Sequence, residues 1–150
     1  ASLIASKQNK LTGHKLRREV VQHIKNNNFN VSVIGRGYRP FENKEDGLKS
    51  YRYSVVIENT SELDYFIEKV IDACLLETIP IYWGAPNISK YFDTRGFIVC
   101  ENIDQILQAI RTISIDDYNS KVEWIMKNKV KAAYHANCFK RAAQIIRSSL

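Results

Sequence analysis

Apolar residues recur along this chain in two alternating rhythms. Leu3-Ile4-Ala5, Val31 to Ile34, Tyr53 to Ile57, Ile79 to Trp83 and Phe97 to Cys100 are short apolar runs, rich in β-branched and aromatic residues, of the length of buried strands. Between them the spacing lengthens to that of an amphipathic helix. Leu16, Val20, Val21 and Ile24 form one stripe within 13–27, and Ile103, Ile106, Leu107 and Ile110 another within 102–113. Phe66, Ile67, Val70, Ile71 and Cys74 fall on one arc of a helix expected to begin near Tyr65. Thr12 is the expected cap of the first helix, and Asp64 or Ser61 that of the second. Strands and helices taking turns in this way predict an α/β fold, a parallel sheet flanked by helices. The segment 51–84 reads as one complete βαβ crossover. Residues 38–50 read as a polar loop with one helical turn, and 86–92 as a short helix. Beyond Asp116 the pattern predicts one long or two shorter basic helices. Tyr118, Val122, Ile125, Val130, Ala133 and Tyr134 are expected there in the core or at an interdomain seam.

The polar residues with chemical interest gather in the crossover. Glu58 and Asn59 end a strand at the carboxyl edge, where open α/β sheets bind ligands. A helix N-terminus presents backbone N–H groups and the positive end of its dipole, so Lys69 beside it makes a seat for phosphate, and Glu68 suits a vicinal diol. On spacing alone, a Glu-Lys pair in a first turn is more often a solvated face.

The string ENTSELDYFIEK, followed by IPIYWGAP, resembles the signature of the family 10 α-1,3/1,4-fucosyltransferases. That resemblance implies that Asn59, Tyr65, Glu68 and Lys69 contact a GDP-sugar donor. The segment LTGHKLRREVV resembles the family's stretch in which a Ser-containing strand end is followed by an Arg on the next helix, which implies that Arg17 reaches the pyrophosphate. Ser6, Arg36, Lys44, Glu58 and Gly84 are further expected donor contacts. Ile67 departs from the pattern, standing where the family usually has Thr.

The resemblance further implies a Rossmann-like domain, the donor-binding, carboxyl-terminal half of a GT-B glycosyltransferase that binds GDP-fucose for inverting transfer to a glycan hydroxyl. Residues 1–150 make one such domain, 116–150 being a helical tail, and the acceptor domain is expected outside this chain. The catalytic base is expected there too, so no catalytic residue is nominated here, and the isolated domain is expected to be inactive. No Asp-x-Asp string offers a metal seat. The leaving pyrophosphate is therefore expected to be met by Arg17, Lys69 and the helix N-terminus, with no metal and no cofactor besides the donor itself.

With 150 residues, the chain suits a single core. Its net charge of +6 sits unevenly: residues 1–50 carry ten basic and four acidic side chains, whereas 51–100 carry four and seven. Such a basic segment suits nucleotide phosphates, a nucleic acid or an anionic membrane surface. Two alternatives therefore stay open: a GT-B transferase domain for another GDP- or UDP-sugar, and a basic α/β nucleic-acid module using Tyr38, Tyr51 and Tyr53. The expected partner is the nucleotide sugar, with no nucleic acid. No apolar run approaches a membrane span. Cys74, Cys100 and Cys138 form no CxxC pair and are expected as buried thiols, and the three histidines show no zinc spacing. A reducing, cytoplasmic location is expected, or the Golgi lumen for a eukaryotic membrane-anchored enzyme.

Overall fold

The computed structural model describes residues 1–40 and 42–149; the side chains of Lys44 and Phe139 lie outside the described residues, and with them the expected role of Lys44. Five strands, β1 (Ser2–Ile4), β2 (Ser32–Ile34), β3 (Tyr53–Ile57), β4 (Ile79–Trp83) and β5 (Ile98–Val99), form one parallel sheet in the order β2-β1-β3-β4-β5. Leu3 pairs with Val55 and Val55 with Ile81, so three side chains almost without solvent exposure align across its centre. The predicted parallel sheet and its flanking helices are present. The chain order reverses between β1 and β3, and doubly wound sheets open a crevice at such a point.

Among the described residues the sheet is accompanied by five α-helices: α1 (Thr12–Asn26), α2 (Glu68–Leu75), α3 (Ile103–Thr112), α4 (Ile115–Ser120) and α5 (Val122–Ser149). Alternation along the strands sorts the core. Tyr53, Val55 and Ile57 of β3, with Ile79, Ile81 and Trp83 of β4, join Val20, Val21 and Ile24 of α1 and Ile106 and Ile110 of α3. Val56 and Tyr82 point the other way, into a second cluster with Val70, Ile71 and Cys74 of α2 and Ala132 of α5. Burial of these side chains from both faces is what specifies the strands, since none exceeds five residues.

Several expectations are corrected. Helix α2 begins at Glu68, not near Tyr65, because Asp64 adopts a left-handed φ of 60° and Ile67 is extended, so neither Asp64 nor Ser61 caps it. Asp64 is instead tied to the loop after β4: its N–H donates to Asn87 Oδ1 (2.9 Å), its Oδ1 accepts from Asn87 Nδ2 (2.8 Å) and from the Tyr91 hydroxyl. Phe66 therefore leaves the helical arc and packs on Tyr91, Phe92 and His135, with ring centroids 4.9–5.6 Å apart. The Ser61 hydroxyl donates to Gly84 O (2.8 Å). Thr12 is the first residue of α1, not its cap. The short helix expected at 86–92 is a 3-10 turn over Ile88–Lys90, and a second such turn, Thr94–Gly96, precedes β5.

The segment after Asp116 is not detached. Helix α5 packs along α2, burying Ala132, and against the Thr94–Gly96 turn, where buried Asn128 bonds Asp93, and the Tyr118 hydroxyl donates to Glu77 O (2.8 Å). Val122, Val130, Ala133 and Tyr134 face outward, which removes core from the two roles open to them. Cys74 and Cys100 are buried free thiols, as expected, whereas Cys138 is half-buried. Among the described residues no helix is long and apolar enough to cross a membrane.

Candidate functional site

Past the ends of β1 and β3, at the reversal point, lies a cleft of about 240 Å³. Ile4, Ala5 and Ser6 leave β1 along one wall, Gly35 and Arg36 leave β2, and Val55 to Ile57 form the floor. Glu68, Lys69 and Asp72 reach it from the first turns of α2, and Arg17 reaches it from α1. Of the residues named from sequence, the fold thus brings Ser6, Arg17, Arg36, Glu68 and Lys69 around one space, while Asn59, Tyr65, Glu58 and Gly84 are not among its lining residues.

Each wall has a local cause. Helix α1 is pressed onto the end of β3 by three successive contacts. Gly13 N–H donates to Asn59 O (2.9 Å), the His14 ring meets the Asn59 amide (3.2 Å), and the Arg17 guanidinium donates to Ile57 O. Glycine is required at position 13, since a Cβ there would stand 1.8 Å from Glu58 O. Arg17 is only 6% exposed, and this burial lowers the proton affinity of its guanidinium against the opposing pull of Glu58 and Glu68. Its charge is thus held close to carboxylates and away from bulk water.

The α2 end of the cleft carries an ammonium and a carboxylate on consecutive residues, Lys69 Nζ lying 3.8 Å from Glu68 Oε1. No side chain caps this helix, whose N-cap is Ile67. Glu58 supports it from beneath, because Ile67 N–H donates to Glu58 Oε1 (3.4 Å). Glu58 is fully buried, and its Oε2 has no hydrogen-bond partner. Burial pushes its carboxyl up to about 7, against the lowering pull of Lys69, the Ile67 N–H and Arg17. It supports the α2 entry and is not among the residues lining the cleft.

Gly84 is also explained without a ligand. A Cβ there would stand 2.5 Å from the Tyr82 hydroxyl and 2.6 Å from Glu58 Cγ, so the close approach that calls for glycine is to its own neighbours. Tyr65 is half-buried, its N–H donating to Glu62 O (3.3 Å). Asn59 stands two residues beyond Ile57, held by α1. His14 is the participant that sequence reading missed; the signal was its place three residues after Leu11, where a side chain can reach back to the N-cap N–H. Tyr53 is buried with its hydroxyl on Asp117 (2.8 Å), so it offers no stacking surface to a nucleic acid. Among the described residues no group of three His, Cys, Asp or Glu side chains is placed to hold a metal ion.

This arrangement, three cationic side chains and a helix N-terminus around a crevice at the sheet's reversal point, is suited to an anionic ligand bearing a diol. Comparison with known proteins narrows the field. Solved structures of an alpha1,3-fucosyltransferase superpose on 81–82% of this chain with TM-scores of 0.63–0.65 and 25–27% identity, and the match takes in 37% of those chains; one of them holds GDP-fucose and another GDP. An alpha-(1,3)-fucosyltransferase of Helicobacter pylori is 38% identical over 69 residues, which is 46% of this chain and 14% of that protein. A putative fucosyltransferase-like protein of Arabidopsis thaliana is 23% identical over 117 residues, 72% of this chain and 23% of its own, and a GDP-fucose protein O-fucosyltransferase 3 of Danio rerio is 25% identical over 128 residues, 75% and 28%. The chain spans less than a third of the length of each of these curated relatives. The sequence profile of the C-terminal part of glycosyltransferase family 10 (fucosyltransferase) matches residues 2–146, nearly from end to end. The chain belongs to glycosyltransferase family 10, the fucosyltransferases, and carries that family's C-terminal part.

Proposed function

We propose that this chain is the donor-binding domain, the carboxyl-terminal half of a GT-B enzyme, and that it binds GDP-fucose for transfer of fucose to a glycan hydroxyl. The observation that carries the proposal is the cleft between the ends of β1 and β3, lined by Arg17 and by Lys69 and Glu68 at the α2 N-terminus. The diphosphate takes Lys69, Arg17 and the first N–H groups of α2, while Glu68 accepts from the ribose diol. Arg36 and Ser6 stand on the opposite wall, within the same space.

Departure of GDP places charge on the pyrophosphate, and fixed cations with a helix dipole stabilise it as it develops, so the proposed transfer is metal-independent. Transfer inverts the anomeric centre, the acceptor glycan and its general base being supplied by a second domain. That the solved relatives are far longer than this chain supports such a partition. A reducing cytoplasm suits the buried free thiols Cys74 and Cys100, the latter raised by burial to about 11.

Calorimetric titration with GDP-fucose, GDP and UDP tests the reading. GDP-fucose and GDP are expected to bind with Kd of roughly 10 μM to 1 mM, the range left when a few charge-assisted hydrogen bonds are set against ligand ordering. EDTA leaves binding unchanged. A preference for UDP would remove the guanosine assignment, and salt-sensitive retention of random DNA with no nucleotide binding would replace the reading altogether.

A further inference from the structure

Arg17 and Lys69 have a second claimant besides any ligand of the cleft. Both line the cleft, and both pull on the charged form of Glu58, the residue that follows Ile57 of the cleft floor. Glu58 is fully buried: its backbone N–H donates to Trp83 O (2.9 Å), its Oε1 accepts from Ile67 N–H (3.4 Å), and its Oε2 has no partner. Ile67 is the N-cap of α2, so the N–H that Glu58 holds immediately precedes Glu68 and Lys69. The groups that act on this carboxyl come from three elements: Lys69 and Glu68 of α2, Arg17 of α1 and the Tyr82 hydroxyl of β4. His14 of α1 is turned to Asn59 instead. A Cβ on Gly84 would lie 2.6 Å from Glu58 Cγ, so the stem of the side chain is hemmed in on that side.

We propose that Glu58 is a positioning residue of the donor seat: neutral, it holds the N-cap of α2 and leaves Arg17 and Lys69 to the diphosphate; ionised, it competes with the donor for both. The proposal rests on the donor reading above and assigns Glu58 no contact with the ligand. Its chemistry is competition between like charges. A buried carboxylate with one oxygen unpartnered has little besides these cations to balance it, whereas a neutral carboxyl needs neither. The donor therefore binds the protonated chain better, and by the same linkage its phosphate charges draw a proton onto Glu58. Burial has already brought the ligand-free carboxyl up to about 7, so the exchange falls where affinity can be measured on both sides of it.

Carbon-13 NMR of the ligand-free chain reads the Glu58 titration directly, and a midpoint near 7 is expected; a midpoint in the ordinary carboxylate range overturns the proposal. Calorimetry with GDP-fucose at pH 6, 7 and 8.5 then reads the coupling. GDP-fucose is the suitable probe because each of its phosphates is linked on both sides and holds no proton that titrates near neutrality, unlike the terminal phosphate of GDP. The wild-type Kd is expected to rise about tenfold from pH 6 to pH 8.5, which corresponds to a shift of about one pH unit in the Glu58 midpoint on binding. At pH 7.5, titrations in buffers of different ionisation enthalpy are expected to show uptake of about half a proton per donor bound. Glu58→Gln, which keeps an acceptor for Ile67 N–H and every histidine, is expected to lose both the slope and the uptake. Glu58→Ala, lacking that acceptor, is expected to bind about tenfold more weakly than Glu58→Gln at each pH; where it does not fold, Glu58→Gln decides alone. A merely structural Glu58 would leave wild type and Glu58→Gln with the same pH profile. That result, or a folded Glu58→Ala protein that binds as Glu58→Gln does, overturns the proposal. A wild-type chain that binds no GDP-fucose at pH 6 removes the donor reading and this inference with it. That failure is distinguishable, since the Glu58 titration is measured without ligand.

Discussion

Glu58 holds one oxygen on the Ile67 N–H and leaves the other buried with no donor, so ionising it places a charge where neither water nor a second hydrogen bond receives it. Its carboxyl is raised from 4.5 to about 7. The folded chain therefore keeps a proton that the unfolded chain has lost, and stability contributed by the neutral form falls as pH rises from about 4.5 to 7. The full loss, on the order of 3 kcal/mol, is reached above pH 7. Glu58→Gln is expected to melt higher than wild type at pH 8 and to show no such fall, as differential scanning calorimetry at pH 5 and pH 8 will read. Equal pH dependence in the two proteins would mean that Glu58 is ionised throughout. Lys69→Ala belongs to the same network. It should abolish detectable GDP-fucose binding while changing the melting temperature little at pH 6, and lower it only above about pH 7, where Glu58 loses its strongest opposing charge. Normal binding in that variant would remove the phosphate seat. Lys69, Glu68 and Arg17 were named from sequence through the family resemblance, since spacing alone leaves a solvated face as the readier reading, and the fold brings all three to one cleft. The burial of Glu58 under Ile67 and the place of His14 between Leu11 and Asn59 were not legible, because burial and a backbone partner decide them, and neither shows in a string of letters.

At the scale of elements, the fold depends on how closely α1 and α5 approach their neighbours. The 1.8 Å separation between a built Cβ at Gly13 and Glu58 O involves backbone on both sides, so no rotamer relieves it. Gly13→Ala must lift the α1 N-terminus off β3, at a cost of about 1–3 kcal/mol or more. Because Asn59 and Arg17 hang on the same contact, GDP-fucose affinity should fall with it. A melting temperature within a degree of wild type would show that the helix can shift freely. Helix α5 tests its register in a second pair. Ala132 is wholly buried against the α2 side of the core, whereas Val130 is 72% exposed. Ala132→Leu should destabilise by about 1–3 kcal/mol and Val130→Ser by less than about 0.5, read by urea denaturation. Hydrophobic periodicity placed every strand and the bodies of α1, α2 and α3, since burial on one face imposes period. It failed at helix starts and along α5. The α2 entry is set by Asp64 reaching across to Asn87 and Tyr91, and α5 is long enough that several apolar residues lie on its outer side.

At the scale of the molecule, the open cleft and its charges imply an incomplete enclosure. A cavity of about 240 Å³ is smaller than the sites that surround drug-sized ligands, so a nucleotide sugar seated on Arg17 and Lys69 extends beyond the described walls. On the proposed reading, what lies beyond them governs both water exclusion and delivery of an acceptor hydroxyl. Affinity, by contrast, resides on the proposed reading in the diphosphate and ribose contacts assigned to Arg17, Lys69 and Glu68 of this chain. The two properties should therefore separate in experiment. Added GDP-fucose at ten times its Kd should stabilise the chain by about 1.4 kcal/mol, a shift of a few degrees in melting temperature. The same mixture given a glycan acceptor should release no GDP above the rate without protein, as a coupled assay for free GDP will show. Stabilisation without turnover is the signature of a donor seat awaiting its opposing wall. Turnover by this chain alone would place a general base inside the cleft, with Glu68 and Asp72 as the carboxylates within reach, and would overturn the partition of binding from chemistry.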